Sequence, residues 1–185
     1  KYGYDRYFDS FEHYYSLYQR RNLDLWAEYA DGKVTKEELN RQRYLYPLEA
    51  VGAGDSTLAK AYERDALTMI PTKSKLMPHA REVLEYLSRK YNLYILSNGF
   101  KELQSHKMRS SGIDEYFKKV VLSDDIGILK PWPEIFHFAL STTQSELNNS
   151  LMIGDSWEND IVGAAGVGMH QVFYNLSGRI DLPFA

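Results

Sequence analysis

Two carboxylates stand five residues apart in Ile153-Gly154-Asp155-Ser156-Trp157-Glu158-Asn159-Asp160-Ile161. Asp155 follows the apolar run Leu151 to Ile153, which reads as a short buried strand with Gly154 as its sharp exit. The carboxyl end of such a strand is where ligands bind in open α/β sheets. Asp160 falls in the first turn of the helix expected next. Two acids drawn into one crevice repel each other unless a cation or a base separates them. A hard divalent ion that takes oxygen ligands and keeps several waters is the simplest choice.

Two other strand ends carry polar groups. Ser97 and Asn98 follow Leu96, and Lys130 lies in the loop after a strand ending at Leu122. In a parallel sheet such ends share one edge, so residues distant in sequence converge. A hydroxyl, an amide, an ammonium and an acid pair suit a phosphate and a metal. Ser97, Asn98 and nearby backbone N–H groups are expected to bond phosphoryl oxygens, with Lys130 as a point charge on the same oxygens. Asp155 is expected to ligate Mg²⁺. Asp160 either orients a metal-bound water or holds Lys130. The catalytic roles thus fall to Lys130, Ser97 and Asp160.

Each residue also has a plainer reading. Ser97 alone is a turn residue beside Asn98-Gly99, and Lys130 alone a solvated lysine, although Pro131 holds its backbone extended. Asp155 and Asp160 suit helix caps and the helix dipole. Ser156 and Asn159 are expected to be supporting caps. Gly163, Gly166 and Gly168 follow the helix start, so they mark a helix end and a tight turn better than a dinucleotide fingerprint. His13, His79, His106, His137 and His170 lack metal-binding spacing and read as surface or packing residues.

The elements that must position these groups form two parts. Up to residue 72 the chain is rich in Tyr, Glu and Arg with helical periodicity. Tyr4, Phe8, Phe11, Tyr15 and Tyr18 form a stripe that reads as core. Thr35-Lys36-Glu37-Glu38 is a capping box before Leu39, and Gly52-Ala53-Gly54-Asp55 a loop before a helix through Leu58, Tyr62 and Leu67. Residues 1–72 therefore read as a helical domain and 73–185 as an α/β domain. In the second part helices are expected over 79–89, 101–110, 133–140 and 159–165. Strands are expected over 93–96, 120–122, 151–153 and 171–174. Gly112 is read as a helix stop. This alternation predicts a doubly wound parallel sheet with helices on both faces.

The bulk composition narrows the class. With 185 residues and 44% hydrophobic content the chain builds a real core. A net charge of -3 gives no basic excess for a nucleic acid, and no apolar run reaches bilayer length. The absence of cysteine excludes disulfides, thiolate zinc sites and a cysteine nucleophile. A small-molecule substrate and a cytoplasmic location are expected. Nothing in the sequence fixes an oligomeric state.

Leu96-Ser97-Asn98-Gly99, then Lys130-Pro131-Trp132-Pro133-Glu134-Ile135-Phe136, then Gly154-Asp155-Ser156 with Asn159-Asp160-Ile161 and Gly163-Ala164, resemble in order and separation the second, third and fourth motifs of the haloacid dehalogenase-like hydrolases. The likeness is nearest to the branch of capped phosphatases that includes pyrimidine 5′-nucleotidases. The resemblance implies a Rossmann-like core, a C1-type helical cap over residues 1–72, and Mg²⁺-dependent hydrolysis of a small phosphorylated metabolite or nucleotide. It also implies an aspartyl-phosphate intermediate. The family's first motif, a strand ending in Asp-x-Asp, has no match here, for Asp31-Gly32-Lys33-Val34-Thr35 follows no buried strand. The expectation is that an N-terminal segment carrying the nucleophile precedes Lys1 and that the C-terminal end, stopping at Pro183-Phe184-Ala185, is short of a final helix. The absent strand belongs between those of Ser97 and Asp155. The rivals are a 2-haloacid dehalogenase of the same fold, which the acid pair disfavours, and a non-catalytic phospho-ligand-binding domain. A phospho-accepting receiver is disfavoured because Asp155 comes after Lys130.

Overall fold

Ser10 starts the first long helix by accepting the His13 N–H on its hydroxyl, which supplies one of the orphan donors of a helix start. In this computed structural model, residues 2–176 and 178 are described; Pro183-Phe184-Ala185 lies outside them. The chain divides into two compact units, Lys1–Lys73 and Ser74–Ala185.

The first unit is helical: α1 Phe11–Ala30, α2 Lys36–Ala50 and α3 Ser56–Met69. Thr35 and Glu38 close a reciprocal capping box at α2, and Asp55 caps α3 by accepting the Leu58 N–H. The core joins Phe8, Tyr14, Leu45, Leu48 and Ala59, with Tyr4, Tyr18 and Tyr62 packed against it. The expected aromatic stripe is only partly inside. Phe11 and Tyr15 are 67% and 44% exposed and stack on each other. The reason is the Ser10 cap: Tyr4 and Phe8 precede α1, so their spacing does not continue along it, and Tyr14 turns inward instead.

The second unit alternates α4 Ala80–Ser88, β1 Tyr94–Ser97, α5 Lys101–Ser111, β2 Lys119–Leu122, α6 Pro133–Thr143, β3 Leu151–Gly154, α7 Gly163–Gly166 and β4 His170–Phe173. Gly112 ends α5 with φ +62°, in the left-handed region that a side chain disfavours. The strands make two parallel ladders rather than one continuous sheet. Ser97 of β1 pairs with Leu122 of β2, and Gly154 of β3 with Phe173 of β4. No described strand joins β1 to β3. The core is Ile135, Phe136, Ala164 and Met169, with Leu96, Met152, Leu140 and Leu147 against it.

Two expectations need correction. The run Leu151 to Ile153 is not fully buried. Leu151 and Ile153 are each 54% exposed, while Met152 between them joins the core. Successive strand residues face opposite sides, and among the described residues one face of β3 is covered less than the other. The helix expected over 159–165 is a π-helical stretch, Trp157–Val162, followed by α7; such widened turns often occur at functional sites. Among the described residues no helix is long and apolar enough to cross a membrane.

Candidate active site at the strand ends

β1 ends on Ser97, whose Oγ accepts hydrogen bonds from the Gly99 N–H at 3.0 Å and from Gln104 Nε2 at 2.8 Å. The next residue, Asn98, turns its amide to Lys130. Its Oδ1 accepts the Lys130 N–H at 2.7 Å and its Nδ2 donates to the Lys130 carbonyl at 2.9 Å. This double clamp, beside a cis Lys130–Pro131 bond, sets where the lysine side chain starts. The Asn98 amide was expected to face phosphate; the structure engages both its ends with lysine main chain.

Lys130 is 8% exposed. Its Nζ donates to the Leu96 carbonyl at 2.8 Å and to Asp160 Oδ1 at 2.6 Å. An ammonium has three donors, so one N–H remains without a partner among the described residues. A buried charge without a partner is strongly disfavoured, and Asp160, itself 4% exposed, supplies the opposite charge at hydrogen-bond distance. Of the two tasks open to Asp160, the observed one is holding Lys130.

Asp160 is held in turn. Its Oδ2 accepts the Ser156 N–H at 3.0 Å, and the Ser156 hydroxyl caps the π-helical stretch by accepting the Asn159 N–H at 3.2 Å. Gly154 is glycine for room: a Cβ there would overlap the Asp160 carboxylate. Gly163 likewise lets the helix press on Phe136 and Pro131, whose atoms lie 2.8 and 3.0 Å from where its Cβ would stand. Neither is a phosphate-loop glycine.

Asp155 is exposed. It follows directly on β3, beside the Ser156 N–H that Asp160 accepts. Among the described residues no group of three His, Cys, Asp or Glu gathers that could hold a metal. The donor set fits Mg²⁺ only in its sparser mode, in which one or two carboxylates, waters and substrate oxygens complete the shell.

Leu96, Ser97, Asn98, Lys130 and Asp160 thus form one bonded cluster, and Asp155 stands at its β3 end. Gln104 is the contact that sequence reasoning missed. Its only signal was a position one turn into α5, close enough to reach back over Gly99. The histidines stay outside the cluster; His79, for example, is exposed and bonds Glu82 at 2.6 Å.

The sequence pattern of the haloacid dehalogenase-like hydrolases matches residues 1–168. The chain belongs to that family. This hydrolase is 28% identical over 169 residues to the HAD-hydrolase YfnB of Bacillus subtilis, covering 90% of this chain and 70% of that protein. It is 29% identical over 163 residues to the pyrimidine 5′-nucleotidase YjjG of Escherichia coli, covering 88% of this chain and 71% of the relative. The crystal structure of YfnB bound to magnesium superposes with a TM-score of 0.83 at 27% identity, covering 90% of this chain and 74% of that one. The L-2-haloacid dehalogenase of Xanthobacter autotrophicus shares the fold with a TM-score of 0.71 at 20% identity, over 88% of this chain and 64% of that one. The HAD-like hydrolase fold, a parallel α/β core with an additional helical part, is therefore this protein's fold.

Proposed function

We propose that this HAD-like hydrolase is a Mg²⁺-dependent phosphomonoesterase acting on a small phosphorylated metabolite or nucleotide. The observation that carries the reading is the buried Lys130, fixed at three points and left with one N–H beside the strand end that bears Ser97. A fixed ammonium in a nearly dry place acts on developing phosphoryl charge far more strongly than one in water. The names of two relatives, a pyrimidine 5′-nucleotidase and a phosphoserine phosphatase of Thermus thermophilus, support the class.

In this reading Lys130 and the Ser97 hydroxyl bind the non-bridging oxygens of the phosphoryl group. Asp160 pairs with Lys130 and aims it, and Asn98 fixes its main chain. Asp155 would hold Mg²⁺, which when bound supplies further positive charge against the same oxygens. The family resemblance implies that the phosphoryl group passes through an aspartyl-phosphate, which water hydrolyses to inorganic phosphate. The helical unit, residues 1–72, acts as the cap that excludes water and selects substrate.

The test is hydrolysis of p-nitrophenyl phosphate by the complete protein with and without Mg²⁺. The reading predicts metal-dependent turnover, reduced by about 10²–10³-fold or more in Asp155→Asn and in Lys130→Ala, with Asp155→Asn as stable as wild type and Lys130→Ala less stable because it strands the buried Asp160 carboxylate. Metal-independent turnover of 2-chloropropionate, without phosphatase activity, would overturn it.

A further inference from the structure

We infer that Gln104 is a positioning residue that sets the direction of the Ser97 hydroxyl, and that residue 99 is glycine to let it do so. This rests on the phosphomonoesterase reading, because it concerns how Ser97 meets a phosphoryl oxygen.

A serine hydroxyl has one proton to give and two lone pairs with which to accept. Left alone it rotates and can point its proton at any nearby acceptor. At Ser97 both accepting positions are filled, one by the Gly99 N–H at 3.0 Å and the other by Gln104 Nε2 at 2.8 Å. The O–H is then left as a donor only, facing away from both. The next carbonyl back, Leu96 O, is held by Lys130 Nζ. The two protons not used inside the cluster, one on Ser97 and one on Lys130, therefore issue from the same strand end. A phosphoryl group, which offers only acceptors, is the ligand class that such a pair suits.

Gly99 supplies an independent observation. Its φ is not positive, so its backbone does not call for glycine. Space calls for it. A Cβ at residue 99 would overlap Gln104 Nε2 and lie 2.8 and 2.9 Å from its Cδ and Cγ. The glutamine side chain lies flat across residue 99 to reach Ser97, and the missing Cβ is its path.

The experiment is a double-mutant cycle on the complete protein. It measures kcat and KM for p-nitrophenyl phosphate, the inhibition constant of inorganic phosphate, and the melting temperature. Gln104→Leu should raise KM and the phosphate inhibition constant together by about 3- to 10-fold, the reach of one neutral hydrogen bond, with kcat and melting temperature nearly unchanged. In a Ser97→Ala background the same substitution should change neither constant. Gln104→Glu should be worse than Gln104→Leu, because a carboxylate accepts the Ser97 proton and turns it from the phosphate. Equal constants for Gln104→Leu and wild type would overturn the inference. So would full additivity with Ser97→Ala, or a Gln104→Glu variant as good as wild type. If the wild-type protein has no phosphatase activity at all, the underlying functional reading fails first and the inference with it.

Discussion

Among the described residues, the buried hydroxyls of Tyr4, Tyr14 and Tyr44 in the helical unit meet no well-aligned hydrogen-bond partner, and neither do the buried Asn40 Oδ1 and Arg43 Nε. At the strand ends of the α/β unit Lys130 and Asp160 are as deeply buried, yet they bond each other and the surrounding main chain. The two regions meet the burden of buried polarity differently. In the helical unit ring packing carries it. Tyr14 meets Tyr4, Phe8, Tyr18 and Tyr62, and the Arg43 guanidinium lies 5.0 Å over the Tyr44 ring, a cation–π contact. An aromatic side chain brings enough apolar area to offset one unpaired hydroxyl. A buried ammonium costs far more than a neutral hydroxyl, so its charge must be matched by geometry. The polar groups of the helical core are by-products of packing, whereas those of the strand ends are arranged.

The sharpest way to break this contrast is to remove one partner of the arranged pair. Asp160→Ala strands the Lys130 ammonium and frees the Ser156 N–H, and should lower stability by about 3–5 kcal/mol in urea unfolding. A change below 1 kcal/mol would mean that the pair is not closed to water. Gly154→Ala acts on the same cluster through space alone. Its Cβ must push the Asp160 carboxylate away, and a loss of about 1–3 kcal/mol is expected.

The helical core should respond weakly to mutation, and its buried phenols make it sensitive to high pH. Tyr44→Phe and Tyr14→Phe each remove a buried hydroxyl without a well-aligned partner, so stability at pH 7 should stay within about 1 kcal/mol or rise. Burial pushes both phenols well above their ordinary value near 10.0. The folded state keeps protons that the unfolded chain gives up around that pH. Their contribution is complete below about pH 10 and is lost as pH climbs from there through the folded values. Urea midpoints measured from pH 9 to 11 should therefore fall in the parent and fall less in Tyr44→Phe. The smallest effect is expected at the exposed Phe11–Tyr15 stack, where Phe11→Ser should move stability by no more than about 0.5 kcal/mol. A larger loss would show that this pair is covered in the working protein.

The same contrast explains what the sequence made legible. Signals that depend on neighbours along the chain could be read directly. The Thr35–Glu38 capping box forms, Gly112 stops α5, and each expected strand lies within one or two residues of its observed place. The HAD-like family could be read from three motifs because their spacing is local. What escaped depends on contacts across the chain. The periodicity of Tyr4 to Tyr18 gave no hint that Ser10 restarts the helix and turns Tyr14 inward. Apolar composition at Leu151 and Ile153 could not show which face of β3 is covered. The double clamp of Asn98 on Lys130, and the reach of Gln104 over Gly99, each join residues whose meeting is set by tertiary geometry. No local pattern encodes either.

In the proposed function, the protons left over on Ser97 and Lys130 bind a phosphoryl group. An amide-resolved NMR titration of the complete protein with inorganic phosphate, alongside Lys130→Met, tests it most directly. The largest shifts in wild type should fall on Ser97, Gly99 and Lys130, and they should vanish in the variant. Shifts of equal size in the variant, or largest shifts within α1 to α3, would contradict it.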